Sequence, residues 1–348
     1  MSIFIFVSSR KVYINGKFLI QQESGVQAYA KGLIESLIKL NVDFEILVPK
    51  SLRQSDVKNS KQIGFFYNLW LWEQFDLALF FFRKKDYILL NFCNSAPLFV
   101  KEQVVTVHDL AFEQRGVNWF SISFKKWYQF LIPKLCNKAK LIFTVSEFSK
   151  TEIRDLYKIE SSKIIVIPNG INIPEKTDKR LINNDYALLI GGNNPRKNAD
   201  LVISYLSEFE KRGMKLVILN NSSHVFNHQD TKEHQPIIKL DYVSKDSYYS
   251  LIKHCRVLIY PSFYEGFGIP VLEALVLKVP VICKNLRVYK ESFGNLPIYF
   301  DSNEKFTESL DLINSFEISD SEVDKLKTKF SFDKSVSLIL KSLDDLNS

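Results

Sequence analysis

The chain has 348 residues and a formal net charge of +7; hydrophobic residues make up 46% and charged residues 24%. These proportions exclude a disordered chain, a collagen and a coiled coil, and the length suits two domains of ordinary size. The excess charge lies in the first half: residues 1–174 carry 23 Lys/Arg against 15 Asp/Glu, while residues 175–348 carry 23 against 24. A basic half-molecule points to an anionic partner, whether a membrane surface, a nucleic acid or an acidic ligand. Phe is abundant at 28 residues, and the four cysteines (Cys93, Cys136, Cys255, Cys283) stand far apart with no C-x-x-C. They read as buried thiols in a reducing compartment rather than a disulfide framework or zinc site.

MSIFIFVSSRK places its positive charge after the apolar run. That order is wrong for a signal peptide, and the segment reads as a first buried strand. Further short apolar, β-branched runs follow at FEILV, YILL, VVTV, KLIFTV and KIIVI. Between them lie helical patterns in GVQAYAKGLIESLIKL, FKKWYQFLIPKLCNKA and SKTEIRDLY. Residues 63–82, IGFFYNLWLWEQFDLALFFF, are the richest apolar stretch, but Glu73 and Asp76 interrupt it. A helix there is buried or lies against an interface, and does not span a bilayer. After a polar linker the alternation restarts with YALLI, KLVIL, IIKL, VLIYP and PVICK, and the chain ends in an amphipathic helix. The pattern predicts an α/β protein with parallel sheets covered on both faces. The expected parts are a first domain of residues 1–174, a linker of 175–184, a second domain of 185–330 and a final helix of 331–348.

In such sheets ligands bind beyond the carboxyl ends of the strands. Three strand ends carry chemistry. In PSFYEGFGIPVLEAL, Glu265 sits in a turn with Gly266 and Gly268, and Glu273 falls near the start of the following helix. Paired carboxylates so placed can accept hydrogen bonds from sugar or ribose hydroxyls. In YALLIGGNNPRKNADLVI, Gly191 and Gly192 end a strand and Arg196 and Lys197 follow. A glycine-rich turn exposes backbone N–H groups, and the two cations suit phosphate. The segment is neither G-x-G-x-x-G nor a Walker loop. In VVTVHDLAF, His108 can donate to a substrate oxygen or shuttle a proton. Gly25 opens a helix in the first half, where an anionic or acceptor group can approach. The remaining histidines lack comparable context, and HVFNHQDTKEH reads as a polar loop.

Eight segments in order, SGVQAYA, NLWLWEQ, NFCNSAPL, VVTVHDLAF, IFTVSEFSK, VIPNGI, GGNNPRKN and PSFYEGFGIPVLEA, resemble the retaining nucleotide-sugar glycosyltransferases of glycosyltransferase family four. The last carries that family's E-x7-E signature, and the chain looks like its bacterial surface-polysaccharide branch. The resemblance implies a GT-B fold, two Rossmann-like doubly wound domains facing across a cleft, with the final helix crossing back to the first. It implies that Glu265 approaches the donor sugar, Glu273 holds the ribose hydroxyls, and Arg196 and Lys197 neutralise the departing diphosphate. It places His108 near the transferred sugar, Gly25 near acceptor and phosphate, and Ser146 near the cleft. The donor would be a UDP-, GDP- or dTDP-sugar and the acceptor a lipid-linked saccharide, as in O-antigen or capsule synthesis. The site would need no cofactor. No D-x-D triplet occurs, so the two cations would replace the usual metal. The basic first domain would then dock on the cytoplasmic face of the inner membrane, and no nucleic-acid motif appears. Two other classes fit the architecture: a sugar-nucleotide epimerase, and a non-catalytic partner subunit. The ordered motifs argue against the first and the intact Arg196, Lys197, Glu265 and Glu273 against the second. The chain departs from the family pattern at Ser24 and Lys278, where many members have glycine, and at Lys284-Asn285.

Overall fold

The structure is a computed structural model that describes residues 10–22, 24–52, 58–174, 179–220, 236–241 and 243–346. The strand expected at residues 3–7, the polar loop 224–234 and residues 175–178 of the linker lie outside the described residues.

The chain divides into two compact units. The first comprises Met1–Gly116, Phe120–Gly170 and Phe330–Ser348; the second comprises Val117–Trp119 and Ile171–Lys329. The first unit contains strands β1 (Lys11–Asn15), β2 (Glu45–Pro49), β3 (Ser60–Ile63), β4 (Tyr87–Asn91), β5 (Gln103–Thr106), β6 (Leu141–Thr144) and β7 (Ile164–Val166). Its helices are α1 (Gly25–Lys39), then α2 (Leu69–Leu71), which runs through a π-helical turn (Trp72–Asp76) into α3 (Leu77–Phe81), then α4 (Ile122–Lys138) and α5 (Glu147–Tyr157). The sheet is parallel throughout, in the order β3-β2-β1-β4-β5-β6-β7.

The second unit contains β8 (Tyr186–Ile190), β9 (Lys215–Leu219), β10 (Ile237–Leu240), β11 (Val257–Tyr260), β12 (Val281–Lys284) and β13 (Ile298–Phe300). Its helices are α6 (Ala199–Ser204), α7 (Leu206–Lys211), α8 (Lys245–His254), α9 (Ile269–Val276), α10 (Arg287–Phe293), α11 (Asn303–Asp311) and α12 (Asp320–Lys329). This sheet is also parallel, in the order β10-β9-β8-β11-β12-β13. Both sheets are doubly wound: strand order reverses between β1 and β4 in one and between β8 and β11 in the other. The crevice beyond the carboxyl ends of those strand pairs is where such sheets bind ligands.

The inner strands are buried along their length: YALLI, VLIY and YILLN have no exposed residue. That is why their runs are continuously apolar rather than alternating. The final helix α13 (Phe332–Asp345) belongs to the first unit and packs on α1. A methyl group at Gly32 of α1 would fall 2.2 Å from the Phe332 ring, and one at Gly170 would fall 2.4 Å from it. Both glycines admit that ring. Ser335 donates to the Pro168 carbonyl at 2.7 Å, and Ser36 donates to Asp333 at 2.6 Å.

Lys278, just past α9, adopts φ +59, the left-handed conformation. Glycine, which the resemblance leads one to expect there, closes a helix in that conformation without steric cost. A non-glycine residue in it costs about 1–2 kcal/mol, more than the ~0.4–1 kcal/mol by which glycine loosens the unfolded chain. Lys278→Gly should therefore raise the melting temperature, and a clear drop in a thermal melt would contradict this.

Candidate active site

The second unit's crevice brings the β8 turn and the β11 turn together. Gly191 follows β8 with φ +82. A side chain at Gly192 would drive its Cβ to 2.2 Å from Ile218 of β9, so only glycine lets the turn lie this close to the sheet. Pro195–Lys197 then forms a single 3-10 turn, with Asn194 Oδ1 accepting from the Arg196 amide at 3.0 Å. The Phe263 amide of the β11 turn donates to the Arg196 carbonyl at 2.9 Å, which clasps the two turns to each other.

This clasp puts Lys197 and Glu265 in contact. Lys197 Nζ donates to Glu265 Oε1 at 2.5 Å and to the Tyr260 hydroxyl, and all three residues are buried. Arg196 Nη2 lies 3.7 Å from the other oxygen of Glu265. Burial pushes the Glu265 carboxyl up, but Arg196 and Lys197 pull harder and leave it below its ordinary value. Glu265 is therefore ionised at neutral pH. Burial, and next the charge of Glu265, push the Tyr260 phenol well up, so it stays protonated. Two cations against one carboxylate leave a local surplus of one positive charge, in a place with little water to screen it.

Glu273 sits on α9 behind this cluster, and Tyr260 feels the charge of both Glu265 and Glu273. Its two oxygens accept from neighbouring hydroxyls of α8, Tyr248 at 2.6 Å and Tyr249 at 2.7 Å. Burial pushes its carboxyl up to about 7, against the pull of those two hydrogen bonds. Gly266 lies in the same buried turn as Glu265, and Gly268, at φ +107, precedes α9. Tyr248, Tyr249 and Tyr260 were not readable as site residues, because single tyrosines on a helix and a strand resemble ordinary core aromatics.

In the first unit, His108 follows β5 and is buried. Its Nε2 lies 2.8 Å from the Phe92 carbonyl, so that nitrogen carries the proton. Its ring meets Tyr29 edge-on at 4.9 Å. Burial lowers its pKa, which leaves a neutral imidazole at neutral pH. The expected donor role has to be corrected for this geometry: with Nε2–H committed to Phe92, the remaining ring nitrogen can only accept. Ser146 caps α5, accepting from the Ser149 amide at 3.1 Å, and Ser149 in turn donates to the His108 carbonyl at 3.0 Å. Gly25 is exposed at the start of α1, where the Ser24 amide donates to the Gln27 side chain at 3.1 Å.

A polar cluster that the sequence reading did not assign lies at the first unit's own reversal point. Asn15 ends β1 and Asn91 ends β4, and the Asn15 amide bridges Asn91 and Glu73 at 3.0 Å each. Lys17 donates to Glu73 at 2.8 Å, and Ser95 donates to Glu73 at 2.8 Å. Glu73 comes from the π-helical turn. The neighbouring Gln74 holds the Ala96–Leu98 loop, and Asp76 accepts from the Phe65 and Phe66 amides at 2.8 and 2.9 Å. Cys93, expected to be buried, is only half-buried here; the other three thiols are buried. Among the described residues, no three His, Cys, Asp or Glu side chains converge to hold a metal.

Two family profiles match the chain in tandem: "Glycosyltransferase Family 4" over residues 24–174 and "Glycosyl transferases group 1" over residues 172–329. The chain belongs to this glycosyltransferase family and has its GT-B fold. It is 28% identical over 218 residues to the O-antigen chain mannosyltransferase RfbU of Salmonella typhimurium, covering 61% of this chain and 60% of that one. It is 32% identical over 200 residues to the O-antigen chain mannosyltransferase B of Escherichia coli, covering 52% of each. The matches thus span little more than half the length of these relatives. Among solved structures, a glycosyltransferase from Rickettsia africae superposes with a TM-score of 0.65 over 98% of this chain and 99% of that one, at 17% identity.

The raised Glu273 carboxyl makes stability depend on pH. The folded chain holds this proton more tightly than the unfolded chain, so the stabilisation is complete below about pH 4.5 and is lost as pH rises through about 7. Glu273→Gln removes that loss. Without nucleotide, the melting temperature of wild type should fall further between pH 5 and pH 8 than that of the variant. Equal declines would show that Glu273 does not carry this proton.

Proposed function

We propose that the protein is a retaining hexosyltransferase. It moves a sugar, mannose by the names of two relatives, from a nucleoside diphosphate to a lipid-linked saccharide in bacterial surface-polysaccharide synthesis. The observation that carries this reading is the cluster of half-buried Arg196 with buried Lys197 and Glu265 at the β8/β11 reversal point.

Breaking a glycosyl–phosphate bond builds negative charge on the diphosphate and positive charge on the sugar. Arg196 and Lys197 supply fixed positive charge where the leaving group gains its negative charge, and Glu265 holds them in place before the donor arrives. Preorganised donors of this kind are worth about 3–4 kcal/mol each by analogy with oxyanion holes. The pair takes over the part that a metal plays where a D-x-D triplet is present, so the reaction is metal-independent. Glu273, fixed by Tyr248 and Tyr249, offers its remaining lone pairs to the ribose diol.

Retention of configuration follows a same-face course, in which the departing phosphate takes the proton of the acceptor hydroxyl. Glu265 is a poor nucleophile, because its charge is already engaged by Lys197 and Arg196. The first unit takes the acceptor, and the protein works against the inner face of the plasma membrane, where lipid-linked acceptors reside.

Arg196→Ala and Lys197→Ala should each lower turnover by about 10²–10³ with circular dichroism unchanged, and EDTA should leave wild-type turnover intact. Near-wild-type turnover in both variants would remove the donor-site assignment. Activity lost to EDTA and restored by Mn²⁺ would refute metal independence. Glu273→Ala should weaken nucleotide binding in calorimetry, and unchanged affinity would reject the ribose role.

A further inference from the structure

The continuous helix formed by α2, the π-helical turn and α3 has two faces of opposite character. Inward it buries Trp72, Leu77 and Phe81, together with both of its carboxylates, Glu73 and Asp76. Outward it leaves Trp70, Phe75 and Leu79 exposed by 41%, 50% and 64%. Helix α4 continues this outer face. Trp70 and Trp127 meet at 5.4 Å between ring centroids, Phe75 lies 6.2 Å from both Trp70 and Phe66, and Trp127 lies 5.7 Å from Phe130. The result is an unbroken run of rings from Phe66 to Phe130 across two helices and a loop. Monomeric soluble proteins rarely leave a large apolar patch of this kind without a use for it.

The charges around the rings identify the occupant. Helix α4 carries Lys125, Lys126, Lys134 and Lys138 and no acidic residue. Lys134 Nζ stands 3.7 Å from the Phe130 centroid, Lys50 stands 5.1 Å from Phe65, and Lys138 stands 5.7 Å from Phe99. Phe65, Phe99 and Phe130 are themselves exposed. Protein–protein interfaces are depleted of lysine and favour arginine. Exposed aromatics interleaved with lysines, with the carboxylates turned inward, match the headgroup layer of an anionic bilayer. There aromatic rings sit at the polar boundary and each lysine gains a lipid phosphate. Among the described residues no helix is long and apolar enough to cross a membrane.

We propose that this face of the first unit, centred on Trp70, Phe75, Trp127 and Phe130 and rimmed by Lys134 and Lys138, seats on an anionic lipid bilayer. The surface stands on its own geometry; its purpose, bringing the enzyme to a lipid-linked acceptor, rests on the function proposed above.

The test is flotation of the full chain with vesicles of phosphatidylcholine alone and of equal parts phosphatidylcholine and phosphatidylglycerol. Wild type should float with the mixed vesicles, less so as salt is raised, and not with the neutral ones. The pair Lys134→Gln and Lys138→Gln should lower partitioning about twenty-five-fold, at roughly fivefold per lysine. The pair Phe75→Ser and Phe130→Ser, both at exposed positions, should lower it by at least about tenfold with an unchanged thermal melt. Wild-type flotation by both variants would overturn the surface. So would absence of flotation with concentration-dependent self-association in sedimentation, which would make the face a protein contact. Nucleotide-sugar binding is measured on the same preparations. A chain that binds donor but ignores vesicles overturns the surface alone, and one that floats through these residues but binds no donor overturns the enzymatic reading alone.

Discussion

The contact between Lys197 and Glu265 is the constraint on which the second unit's site depends. A buried ion pair adds little to stability, because removing two charges from water costs about as much as their attraction returns. Breaking one is costly, since the remaining charge is stranded. On the function proposed above, the pair holds a cation in a dry place before the anionic donor arrives. The features around it serve that end. Gly192 lets the turn approach Ile218, the Phe263 amide ties the two turns together, and Tyr260 fills the space beneath the amine.

The first unit uses the same topological position differently. Its reversal point holds a hydrogen-bonded network of Asn15, Lys17, Glu73, Asn91 and Ser95. In this one π-helical turn Glu73 and Gln74 both hold the loop between β4 and β5, and Asp76 holds the loop after β3. Such turns often mark functional positions, because the extra residue re-aims side chains that a regular helix would point elsewhere. The same helix turns its acids inward and its aromatics outward, so one element both organises the carboxyl end of the sheet and provides an apolar surface.

Much of the fold was legible because central parallel strands are buried on both faces and read as apolar runs. YALLI, KLVIL and VLIY are strands at the residues expected. Three strands escaped notice: KVYIN, whose apolar run is bounded by Lys11 and Asn15, and SKQI and IYF. SKQI and IYF lie at sheet edges, where burial is incomplete and the apolar signal is weak. The stretch at 63–82 read as either buried or interfacial; its helix has one buried and one exposed face, because a helix of this composition can divide its residues between two faces. In the site, the charged residues were visible from their place after strand ends. Their partners were not. Tyr248 and Tyr249 reach Glu273 from a helix some 24 residues earlier in sequence, and nothing in a local pattern marks that contact. The hydrogen bond from His108 to the Phe92 carbonyl was equally invisible, and it changes what that imidazole can do.

The central claim is that a preformed cationic cluster, rather than a metal, receives the diphosphate of the donor. Calorimetric titration of UDP, GDP and dTDP into wild type and Lys197→Met, all in EDTA, tests it most directly. The account predicts that at least one of the three binds wild type in EDTA. It also predicts that Lys197→Met weakens that binding by about tenfold or more, the loss of one charge-assisted hydrogen bond. Binding that appears only when a divalent cation is added, or affinity that Lys197→Met leaves unchanged, would contradict it.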